Sequence, residues 1–192
     1  MKKGISIWSF PEQSLLKSFK LAKDAGFEGV EVALSQDGEL GLSVTEKELL
    51  KIKEQANDSG ISLYSVASGL YWGNWLTSNE KDERERAKDI VKKHLDVAKT
   101  LGADTILVVP GCVNADFEIP GKIVDYKTAY ERSFEAINEL KTHAEKVGVS
   151  IGLENVWNKF LLSPMEMRDF IDKIDSDFVG SYFDVGNVLY SG

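Results

Sequence analysis

Residues 148–184 read GVSIGLENVWNKFLLSPMEMRDFIDKIDSDFVGSYFD and contain one complete unit of the fold. Gly148 stops a helical pattern, and residues 149–154 form a short β-rich run that ends on the carboxylate Glu154. Ser163 and Glu166 flank Pro164 as a helix start, which predicts a helix to about Ile174. Residues 178–184 are a second β-rich run, and it too ends on a carboxylate, Asp184. Strand, helix and strand in that order imply parallel strands, because parallel neighbours need a crossover and the helix supplies it.

The same unit repeats toward the N-terminus. Gly26, Gly60, Gly102 and Gly148 each stand just before a strand, at intervals of 34, 42 and 46 residues. Strands are predicted over 4–8, 29–34, 61–67 and 105–109. Helices are predicted from Pro11, then over 46–59 behind a Thr45/Glu48 capping box, 80–101 and 125–147. The strands read as apolar on both faces, as in a parallel sheet covered by helices.

Two architectures fit this alternation: an open doubly wound sheet or a (β/α)8 TIM barrel. An open sheet usually carries a glycine-rich phosphate loop after its first strand, but here that strand runs into Trp8-Ser9-Phe10-Pro11. The ends of several strands instead carry polar or aromatic groups: Trp8, Glu31, Ser68, Glu154 and Asp184. Many strands contributing to one mouth is barrel behaviour. The expectation is an α/β chain, residues 1–192 as a single incomplete barrel domain holding the first six of eight strands. The sixth strand would then be a bare apolar edge, which suits a fragment.

Composition narrows the function. An apolar content of 43% with four Trp excludes disorder, and a net charge of −8 opposes nucleic-acid binding. A lone Cys112 excludes an internal disulfide and a Cys-based zinc site. No stretch reads as a membrane span or signal sequence, so the cytoplasm is the expected location.

Glu154 and Asp184 end neighbouring strands. Two carboxylates brought together near apolar walls repel, and a divalent cation removes that penalty. Oxygen ligands suit Mg²⁺ or Mn²⁺, and an added His favours Mn²⁺, Co²⁺ or Zn²⁺. The alternative is that Glu154 caps the next turn while Asp184 binds backbone N–H groups of residues 185–187.

WSFP after strand one, AGFEGVEV, SVASGL, LGADTILVVPG, GLENVWNKFLLSP and YFDVGN occur in order along the whole chain. Together they resemble the sugar isomerase/epimerase superfamily of xylose-isomerase-like barrels, especially its ketose and L-ribulose- or L-xylulose-5-phosphate 3-epimerases. The resemblance implies that Glu154 and Asp184 are two of four ligands to one divalent metal, Mn²⁺ first among the choices. A His after strand seven and a Glu after strand eight would complete the set. It also implies that Glu154 is one of two acid/base carboxylates acting at C3 of a ketose or ketose phosphate, through an enediolate. Asn187, where free-ketose members often have His, leans toward sugar phosphates. Inosose dehydratases, hydroxypyruvate isomerases and a non-catalytic remnant that binds a polyol or a partner are the alternatives.

Trp8 and Phe10 are expected to wall the sugar, with Ser68, Asn158 and Asn187 binding its hydroxyls. Lys159 either touches substrate or caps a helix, and Glu31 either lines the pocket or pairs with a Lys. The loop at 68–79, with two Trp and a Tyr, reads as a lid or a subunit contact in a homo-oligomer. His94 and His143 lie inside helices, away from any barrel mouth, and Cys112 has no visible base partner.

Overall fold

Six strands and six helices alternate along residues 2–191, the part of the chain described by this computed structural model. They are β1 (Gly4–Ser6), α1 (Leu15–Asp24), β2 (Gly29–Leu34), α2 (Glu46–Asp58), β3 (Ser62–Ser68), α3 (Lys81–Leu101) and β4 (Thr105–Val108). Then follow α4 (Tyr126–Val147), β5 (Ser150–Glu154), α5 (Pro164–Ile174), β6 (Val179–Tyr182) and α6 (Val185–Ser191). Every strand pair is parallel and the spatial order is β1-β2-β3-β4-β5-β6. A doubly wound sheet reverses at a switch point; a chain that always steps to the same side winds a barrel.

Curvature settles the choice independently. Tyr182 on β6 hydrogen-bonds Glu31 on β2, and its hydroxyl lies 2.9 Å from Ser65 Oγ on β3. Four strand spacings of about 4.8 Å would put β2 and β6 roughly 19 Å apart in a flat sheet. The sheet therefore curls until its far strands face each other across an interior.

The register sorts the two faces. Val32, Val66, Ile106, Ile151 and Val179 lie side by side from β2 to β6 and are all buried. They face the helices, where Phe19, Ile52, Leu95, Ile137 and Phe170 close the core. Ser6, Glu31, Ser65, Thr105 and Ser150 form the matching row on the interior face. This inner row is thus polar, where the sequence suggests an apolar surface, while Leu107, Val109 and Tyr182 line the interior toward the carboxyl ends of the strands. Gly152 is part of this face because a Cβ there would come within 2.7 Å of the Tyr182 ring.

The helix signals hold with small shifts. Thr45 and Glu48 form the full capping box, Asp125 caps α4 through Thr128 N–H, and Ser163 caps α5 with Pro164 in its first turn. Gly102 and Gly148 end α3 and α4 in the left-handed conformation that favours glycine. Pro11 does not open α1. A single 3-10 turn, Ile7–Ser9, ends β1, and α1 starts at Leu15 behind Ser14. β6 ends at Tyr182 rather than Asp184, and α6 follows it directly.

The loop at 68–79, expected from sequence to expose its aromatics, buries two of the three, and Trp72 stands half-buried at the mouth. Tyr71, Trp75, Leu76, Thr77 and Ser78 are buried. Glu83 accepts hydrogen bonds from Trp75 N–H and Ser78 Oγ and meets Lys122 at 2.5 Å, which ties the loop to α3 and to the β4–α4 connection. Among the described residues no helix is long and apolar enough to cross a membrane.

Candidate active site

β5 and β6 pair Glu154 with Tyr182, so both side chains stand on the inward side, and Asp184, two residues past the end of β6, joins them in lining the same cleft. Glu154 and Asp184 line a cleft of about 530 Å³ at the carboxyl ends of the strands, together with Glu31, Trp8, Ser68 and Asn187. Six residues expected from sequence to stand at the mouth therefore meet in one place.

The two carboxylates are held through Asn187. Its backbone N–H donates to Asp184 Oδ1 at 2.6 Å, and its Nδ2 lies 3.4 Å from Glu154 Oε1 and 2.9 Å from the Asn155 carbonyl. Asn155 completes the clamp: its Nδ2 donates to the Asp184 carbonyl and its Oδ1 accepts from Asp184 N–H, both at 2.8 Å. Asp184 thus caps the first turn of α6, as the alternative sequence reading has it, and still faces the cleft.

Electrostatics mark Glu154 out. Burial, with the negative charges of Asp184 and then Glu31 added, pushes its carboxyl from 4.5 up to about 7. Such a group exchanges protons near neutral pH. Glu31 does not pair with a Lys; the hydroxyls of Ser65 (2.8 Å) and Tyr182 both donate to its Oε2. Burial, followed by the bond to Glu31, raises the Tyr182 phenol above its ordinary value, so it stays a donor.

The donor chemistry fits a divalent cation in part. Glu154 and Asp184 are hard oxygen donors converging on one cleft, and no Lys, Arg or His among the described residues lines it to balance them. No three His, Cys, Asp or Glu among the described residues are spaced to enclose one ion.

Aromatic rings wall the cleft. Trp72 and Phe117 meet edge to face at 5.2 Å, and Phe117 meets Trp157 at 6.4 Å. Trp8, 58% exposed, also lines the cleft. Phe117, Trp157 and Tyr182 line the cleft and Asn155 braces Asp184 behind it, and the sequence reading misses all four. Tyr182 was recoverable, being two residues before Asp184 in a strand; Phe117 lies in an aperiodic loop that offers no signal.

Other expected residues serve the scaffold. Phe10 packs against the core and does not line the cleft. Asn158 is fully buried: its Nδ2 donates to the Gly111 carbonyl, its Oδ1 accepts from Phe160 N–H, and its carbonyl accepts from Val113 and Asn114. It pins the β4 loop to the β5 loop instead of binding substrate. Ser68 reaches the cleft wall, but its hydroxyl donates to the Leu34 carbonyl and accepts from Leu70 N–H. Lys159 Nζ bonds Asn114 Oδ1.

Cys112 is buried beside Asn158, and burial pushes its thiol up to about 12, so it is no nucleophile. His94 is buried against Tyr71, and His143 bonds Asp96 on the outer helices, so neither approaches the mouth.

The family described as xylose isomerase-like TIM barrel matches residues 19–192. A protein of Haemophilus influenzae provisionally named L-ribulose-5-phosphate 3-epimerase SgbU is 25% identical over 174 residues, which are 88% of this chain and 57% of that protein. A D-psicose 3-epimerase determined in the presence of D-fructose superposes with a TM-score of 0.84 at 23% identity, over 99% of this chain and 65% of that one. A D-psicose 3-epimerase from Clostridium cellulolyticum H10, determined with D-tagatose, gives 0.81 at 25% identity, over 100% and 70%. The chain spans 63% and 57% of the length of the curated relatives it matches.

Proposed function

We propose, on the premise that the chain belongs to the xylose isomerase-like TIM barrel family, that it is the mouth-forming part of a divalent-metal-dependent isomerase or 3-epimerase acting on a ketose or ketose phosphate. The observation that carries this reading is the Glu154–Asn187–Asp184 arrangement, two carboxylates held side by side on one aromatic-walled cleft.

A proton α to a carbonyl is too weakly acidic for an ordinary exposed carboxylate. Glu154, buried at the cleft beside Asp184, is placed to take that proton and return it; burial and the charges of Asp184 and Glu31 hold its carboxyl at about 7 without a cation, and a bound cation would lower it. Glu154 and Asp184 would hold the cation, Mn²⁺ first among Mg²⁺, Co²⁺ and Zn²⁺. What it supplies when bound is electrostatic stabilisation of the enediolate oxygens. The rings of Trp8, Trp72, Phe117 and Trp157 would cover the sugar's C–H faces and exclude water. Return of the proton by Glu154 to the neighbouring carbon gives isomerisation; epimerisation needs a second acid, on the opposite face of the sugar, to protonate C3 there.

Two measurements test the reading. Titrating Mn²⁺ into the ¹⁵N-labelled chain should broaden the Glu154, Asn155, Asp184 and Asn187 amides first; broadening centred elsewhere rejects the metal site. In D₂O the complete gene product should exchange the C3 proton of a ketose or ketose phosphate, and Glu154→Gln should lower that rate by at least ~10²-fold. Exchange that survives this substitution rejects Glu154 as the base.

A further inference from the structure

A second cavity of about 430 Å³ adjoins the cleft, lined by Leu34, Ser35, Gln36, Gly69 and Leu70, with Trp8 and Trp72 as walls common to both. The division follows the strands. The cleft is built mainly on β4, β5 and β6, whereas this annex stands on the ends of β1, β2 and β3. Its floor is held in place: Ser35 N–H donates to the Leu40 carbonyl, the Gln36 carbonyl accepts from Leu42 N–H, and Arg86 reaches Gln36 Oε1 at 3.4 Å. The volume lies within the range of small-molecule sites.

We propose that the annex is a second saccharide subsite, which takes an uncharged hexose ring joined to the ketose in the cleft. Two indoles flanking a floor with a hydroxyl, an amide and exposed glycine backbone suit a sugar ring, apolar on its C–H faces and hydroxylated at its edge. Charge selects against an anion. Glu31, Glu154 and Asp184 face the cleft, and among the described residues no Lys, Arg or His lines either cavity. The guanidinium of Arg86 stands behind Gln36 and is engaged by its Oε1, so no cationic side chain lines the annex itself to receive a phosphate; a glycosyl group needs none. This inference rests on the proposed ketose chemistry for the occupant of the neighbouring cleft.

The probe is lactulose, a neutral galactosyl-fructose, compared with D-fructose and D-fructose 6-phosphate by amide chemical-shift titration of the labelled chain. Lactulose should bind at least fivefold tighter than fructose, shifting Ser35, Gln36 and Gly69 as well as Asp184 and Asn187. Ser35→Phe, which fills the annex, should remove that advantage and leave fructose affinity unchanged; Gln36→Ala should reduce it partly. Equal affinity for lactulose and fructose, or lactulose shifts confined to the cleft, overturns the subsite. So does tighter binding of the phosphate through the annex amides. Annex shifts with lactulose, but no cleft shift with any ketose, would keep the saccharide subsite and reject the ketose reading. No shift with any of the three rejects both.

Discussion

Glu154 carries a cost that its neighbours impose. Its carboxyl is raised from 4.5 to about 7 by burial, Asp184 and Glu31, so the charged form is disfavoured in the folded chain. The penalty is absent below pH 4.5, grows as pH rises toward 7, and is complete above it, at roughly 3 kcal/mol. Glu154→Gln should therefore unfold at higher urea than the native chain at pH 8 in EDTA, with the difference vanishing near pH 4.5. An unchanged midpoint at pH 8 would mean that the carboxylate is relieved by solvent. Tyr182 is the complementary case. It gives Glu31 a hydrogen bond from across the interior, and only glycine at 152 leaves room for its ring.

The loops after β4 and β5 show where one residue organises two elements. Asn158 ties them through three hydrogen bonds to Gly111, Val113 and Asn114 and fixes its own loop through a fourth to Phe160, with its side chain fully out of water. Asn158→Ala strands the Gly111 carbonyl and the Phe160 N–H. The expected cost is ~1–3 kcal/mol of stability for each unsatisfied group. Denaturation should show that loss while the sugar-induced shift of Asn187 survives at high sugar concentration; loss of binding without loss of stability would restore Asn158 to the site. Strands, helices and their caps were legible because they rest on local signals: Gly102 and Gly148 at helix ends, Thr45 with Glu48, Ser163 with Glu166. The carboxylates were legible because strand ends point at the mouth. Asn158 and Ser68 were not, since a polar side chain at a strand end reads alike whether it faces substrate or a backbone carbonyl. The loop at 68–79 misled for a related reason: its aromatics have no period, yet Tyr71 and Trp75 are buried by packing from distant elements.

At the scale of the whole molecule, a ligand that binds only the folded chain adds to its stability by mass action. Mn²⁺ at about 100 times its Kd should contribute ~2.7 kcal/mol, or roughly 5–10 °C in Tm for a chain of this size. The rise should be larger at pH 8 than at pH 5, where protons compete for Glu154, and should disappear in a Glu154→Gln, Asp184→Asn double variant. An equal rise in that variant would place the ion elsewhere on this acidic surface. The two registered rows have a further meaning. Cohesion comes from Val32, Val66, Ile106, Ile151 and Val179 beneath the helices, while Ser6, Glu31, Ser65, Thr105 and Ser150 occupy the reverse side of the same strands. Specificity can accordingly drift while the architecture stays put, and a library randomised at Ser6 and Leu107, which line the cleft, would explore new reactants without drawing on the apolar row beneath the helices or on the Glu31–Ser65–Tyr182 bonds across the interior.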